Sequence, residues 1–147
     1  MQKYLFALIS AAMLLTACSG AGTEAVDTGL EVYQVTVTKA KRGENSELFM
    51  AIHNHEGEIH HLTDVTFRAA ERIELYHGEE LVQAIPVDAY TKLQFTPEGY
   101  HVVLTGLKWG LQKGDEIELV LRFRDHKKIR VIATVGEPTE QERQEGG

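Results

Sequence analysis

Imidazole is the reactive group this sequence concentrates. Of its seven histidines, six fall at four places: His53 with His55, His60 with His61, His77, and His101. A neutral imidazole binds borderline ions such as copper and zinc, and two or more brought to one spot make a site. His77 closes the run Ile73-Glu74-Leu75-Tyr76-His77 just before Gly78, and His101 begins an apolar run just after the turn Pro97-Glu98-Gly99. Both therefore lie where a strand meets its turn, at a sheet rim, and they are the candidate metal ligands. His53, His55, His60 and His61 bracket a loop that also holds Glu56 and Glu58, a candidate accessory metal set suited to zinc or Cu(II). His53 and His55 share a strand face, whereas the adjacent His60 and His61 cannot. His126 reads as a turn residue of the hairpin Asp125-His126-Lys127.

Other chemistries find little support. There is no Ser-His-Asp order around a nucleophile turn and no glycine-rich phosphate loop. The carboxylates sit on polar strand faces and in turns, where solvation explains them. We expect no enzyme. A net charge of −7 with no basic cluster argues against nucleic acid.

The elements that must position the histidines alternate with period two and are punctuated by turn residues every ten or so positions, which predicts a sandwich or barrel of strands. Expected strands are Leu30 to Thr38, Glu47 to Asn54, Leu62 to Arg68, Arg72 to His77, Leu81 to Val87, Thr91 to Phe95, Tyr100 to Thr105, Glu116 to Arg124 and Lys128 to Val135. The clearest is Glu116 to Arg124, where Ile117, Leu119, Leu121 and Phe123 alternate with polar residues. No long helix and no internal repeat are expected.

The two ends read differently. Lys3 precedes the apolar run Leu5 to Leu15, too short to span a bilayer, which needs about 20 residues. Residues 1–17 therefore read as a secretory signal, and Leu15-Thr16-Ala17-Cys18 resembles the bacterial lipobox, which implies lipidation of Cys18 and a membrane anchor. Ser19 resembles an outer-membrane rather than an inner-membrane sorting signal. Residues 18–29 would be a flexible tether, 30–135 one β-domain and 136–147 a disordered acidic tail facing the periplasm.

Across the domain the sequence resembles the periplasmic copper chaperones of the PCu(A)C family. The resemblance runs through Met50-Ala51-Ile52-His53-Asn54, Leu62-Thr63-Asp64-Val65, Ile73-Glu74-Leu75-Tyr76-His77, Ile85-Pro86-Val87-Asp88-Ala89, the stretch Pro97 to Leu107 and Leu111-Gln112-Lys113-Gly114-Asp115. It implies an all-β, cupredoxin-like or immunoglobulin-like antiparallel β-sandwich. It also implies copper held by His77 and His101 and passed to an envelope acceptor, such as a cytochrome oxidase assembly protein. The family adds two methionines, and here they have no counterpart. The mature chain's one Met is Met50, Val103 stands two places after His101, and 24 positions separate the two histidines, fewer than in the family. Thioethers favour Cu(I), so their loss shifts the expected preference toward Cu(II) or Zn(II). The competing expectation is a β-sandwich lipoprotein of the same descent that binds no metal and serves as a structural or interaction module.

Overall fold

The computed structural model describes residues 25–27 and 29–137; the expected signal, Cys18 and most of the expected tether and tail lie outside them. Among the described residues the secondary structure is all strand: β1 Ala25–Asp27, β2 Leu30–Val37, β3 Ser46–Asn54, β4 His60–Thr66, β5 Ala70–His77, β6 Glu80–Val82, β7 Ile85–Val87, β8 Lys92–Gln94, β9 Tyr100–Leu107, β10 Glu116–Phe123 and β11 Lys128–Val135. Among the described residues no helix is long and apolar enough to cross a membrane.

Alternation places the core. On β10, Ile117, Leu119, Leu121 and Phe123 are buried, and Ile129, Val131, Ala133 and Val135 repeat the pattern on β11. Full burial of such a side chain is worth about 1.5–3 kcal/mol. On β2 the apolar positions slip phase, from Leu30 and Val32 to Val35 and Val37, and all four are buried. A bulge absorbs the slip. Tyr33 pairs with Ala51 but Thr36 pairs with Phe49, so β2 carries one extra residue, and Gln34 takes the left-handed conformation at φ 53°.

The strands follow one hydrogen-bonded path, β6-β5-β9-β3-β2-β11-β10-β4-β7, folded over a single core as a β-sandwich. Pairing is antiparallel except for a short parallel contact of Thr134 and Val135 with Thr36 and Val37. Beside that contact β1 pairs with the first half of β2, giving partners to an edge that would otherwise stand open within the stretch expected as tether. The expected strand Leu81 to Val87 is two strands. After Val82 the chain leaves β5, and within two residues it joins β4 as β7, at the other end of the path. Burial follows the break, with Leu81 57% exposed and Ile85 fully buried.

Candidate metal centre

His101 is built by the turn before it. The Gly99 amide donates to Thr96 Oγ1 at 2.9 Å, and a Cβ at Gly99 would meet that same oxygen at 2.8 Å, so a larger residue would displace the hydroxyl that closes the turn. The Gly99 carbonyl then accepts from the Gly78 amide at 2.9 Å and from His101 Nδ1 at 3.1 Å. Because a carbonyl only accepts, Nδ1 carries the proton and Nε2 the lone pair. A carbonyl holding one ring nitrogen in this way is the usual means of orienting a metal-binding imidazole.

The register of β5 against β9 decides what shares His101's face. Directly opposed residues point the same way, and the opposed pairs are Tyr76 with His101 and His77 with Tyr100. Tyr76 stacks on His101 at 5.6 Å between centroids, and His77 stacks on Tyr100 at 4.4 Å. His77 and His101 thus meet at one strand end with their rings on opposite faces of the sheet. His101, Tyr76, Val103 and Phe49 share the outer face of these strands, opposite Val102 and Leu75, and there His101 and Phe49 are still only 6% and 4% exposed. The Tyr76 hydroxyl donates to Glu74 at 3.1 Å, and that carboxylate holds its pKa above the ordinary value, so it remains a neutral phenol. Met50 is fully buried on the core side of β3. The residues beside His101 therefore do not fit Cu(I) held by two imidazoles and two thioethers.

The four remaining candidates separate into three environments. His53 on β3 is the register partner of Glu31 on β2, and His55, two residues on, returns to the same outer face. Glu31 Oε2 lies 3.0 Å from His55 Nε2 and 3.9 Å from His53 Nδ1, with the two rings 3.9 Å apart. Among the described residues these three make the group of metal-binding side chains whose donor atoms lie within 4.8 Å of one another. Glu31 escapes sequence reading because only the pairing of β2 with β3 brings it there. His60 goes elsewhere. Its side chain is 3% exposed, with Nε2 2.6 Å from Glu56 Oε2 and Nδ1 2.9 Å from Asp125 Oδ2. Lys127 donates to the same Glu56 oxygen at 2.9 Å, and its hydrogen bond, followed by that of His60, holds the Glu56 carboxyl below its ordinary pKa. With both nitrogens engaged, His60 has no lone pair to offer a metal. His61 faces the other side of β4, opposite Pro86. His126 sits in the turn at φ 70°.

Comparison with known proteins agrees with this architecture. The sequence model of a lipoprotein family described as LpqE-like matches residues 30–135. No curated protein matches. Similar solved structures include a copper-bound PCuAC domain from PmoF2 (19% identity, TM-score 0.71, covering 78% of this chain and 98% of that one). An apo PCuAC domain from PmoF1 is similar at 22% identity and TM-score 0.68, covering 78% of this chain and 99% of that one. The Cu(I) form of DR1885 from Deinococcus radiodurans follows at 23% identity and TM-score 0.63, covering 84% and 86%. These likenesses establish the cupredoxin-like fold of PCuAC domains.

Proposed function

The chain belongs to the LpqE-like lipoprotein family, and from that premise we propose that it is an envelope lipoprotein that binds copper or a similar ion, zinc included, for delivery or buffering. The observation that carries this reading is the His101 ring, 6% exposed and held through Nδ1 by the Gly99 carbonyl, which leaves Nε2 as its ligand nitrogen in a PCuAC-type fold. Related folds bind copper, which supports the same reading for this chain. His77 is the second imidazole at that strand end, and it reaches a shared ion only if the turn at Gly78 reorients. Without thioethers the donors suit Cu(II) or Zn(II) better than Cu(I). In this reading the protein is no enzyme. Residues 1–17 direct export, acylated Cys18 anchors residues 18–29 to a membrane, the outer one on the strength of Ser19, and the domain 30–135 offers its metal to an envelope acceptor such as a cytochrome oxidase assembly protein. The tail 136–147 takes no part.

One observation favours a second reading, a metal-free interaction module: Tyr76 and Val103 cover the His101 face where other donors would be needed. Titrating the full chain in detergent with Cu(I), Cu(II) and Zn(II), alongside His101→Ala and His77→Ala, separates the two. Weaker binding in His101→Ala supports the ligand role, and an equal loss in His77→Ala supports a shared ion. Binding unchanged in both variants removes the metal from this strand end. No binding to the parent chain at any of the three ions favours the module.

A further inference from the structure

We propose that Glu31, His53 and His55 form a second metal site, selective for Cu(II) and Zn(II), on the same outer face as His101 but separate from it. Phe49 packs beside His101 at 6.5 Å, and His53 lies four residues farther along β3, about 13 Å away at 3.3 Å per residue. The site therefore needs neither His77 nor His101 and stands whether or not they bind.

Three features argue for it. The donor set is two imidazoles and one carboxylate, which is the three-ligand combination of open zinc centres and equally suits Cu(II), with room left for water. Its geometry is nearly formed. Donors around a four-coordinate ion with bonds of about 2.0–2.1 Å stand roughly 3.3 Å apart, and the two Glu31 contacts, at 3.0 and 3.9 Å, bracket that value. The backbone is fixed beneath it. Glu31 and His53 are held by the β2–β3 ladder, and the His55 amide donates to the Gly29 carbonyl at 2.8 Å, so the ligands are pre-positioned rather than recruited from a loose loop. The cation nearest in register, Lys92 opposite His53, places its ammonium 5.2 Å from the centroid of the Tyr33 ring. Sulfur is absent from the cluster, so Cu(I) gains no preference there.

The test is electron paramagnetic resonance of Cu(II) added at one equivalent to the full chain in detergent, with Zn(II) competition read as conversion of the bound spectrum to that of the free ion. We expect nitrogen hyperfine structure from two imidazoles. His53→Ala and His55→Ala should each weaken Cu(II) binding by more than about 100-fold, beyond the 10–100-fold typical of losing an outer-shell partner. Glu31→Gln should weaken it less. His53 and His55 side chains are 37% and 52% exposed, so these variants keep the fold, which an unchanged thermal midpoint without metal verifies. His101→Ala should leave the spectrum intact. A two-nitrogen spectrum that persists in the His53→Ala/His55→Ala double variant, or a parent chain with no Cu(II) signal beyond that of the free ion, overturns the site. Loss in His101→Ala alone assigns the ion to the other position and equally overturns it.

Discussion

Replacing His60 by alanine tests whether that residue is a structural hydrogen-bonding group rather than a ligand. The side chain is 3% exposed, and each ring nitrogen meets a carboxylate oxygen, at 2.6 and 2.9 Å. Glu56 keeps Lys127 after the change, so its own loss is small. Asp125, 40% exposed, regains water in part, which reduces a charged hydrogen bond of about 1.5–3 kcal/mol to about half in net effect. The void left by a buried ring adds on the order of 1–2 kcal/mol. Together His60→Ala should destabilise the fold by roughly 2–4 kcal/mol, or about 8–16 °C at some 4 °C per kcal/mol for a domain near this size. Urea and thermal unfolding of the metal-free chain in chelator measure it. A loss below about 1 kcal/mol, with Cu(II) or Zn(II) binding abolished, would refute the reasoning and return His60 to the ligand set.

Three further outcomes follow from the geometry. Tyr76→His with Val103→Met places an imidazole directly opposite His101 and a thioether two residues along its face; Cu(I) affinity should rise at least about 100-fold, near 2.7 kcal/mol, and no gain would mean the β5–β9 register is wrong. Gln34→Gly should stabilise the chain by about 0.5–1 kcal/mol in urea unfolding, and Gln34→Val should destabilise it by at least as much, because a β-branched residue resists the left-handed conformation. Glu56 titrates below its ordinary 4.5 in the folded chain, so its stabilisation is present above that value and disappears as pH falls through the lowered one. Acid unfolding should therefore be less steep in Lys127→Met, which removes the largest cause of the shift.

Sandwich architecture was legible wherever burial alternates over a long strand, as in β10 and β11. It was less so where an apolar period continues across a break. Leu81, Ile85 and Val87 keep one phase, yet the chain changes partner strand between Val82 and Ile85, and only tertiary pairing reveals it. The candidate site shows the same limit. Placing His77 and His101 at one rim needed only turn chemistry; placing them on one face needed the register, and a shift of a single residue exchanges His77 for Tyr76. His53 and His55 could be grouped by local alternation, whereas Glu31 and Asp125, which decide the roles of His55 and His60, are far away in sequence.

The two-residue passage from β6 to β7 has a consequence for how the sheet meets other strands. It joins the two ends of the strand path, and each end is a strand of only three residues, β7 carrying Pro86 in its middle. Strands that short, one of them lacking an amide donor, themselves give a neighbouring chain little to pair with, and what edge remains is the stretch of β5 and β4 that runs past them. The passage thus blunts both ends of the strand path against pairing with a strand of a second copy.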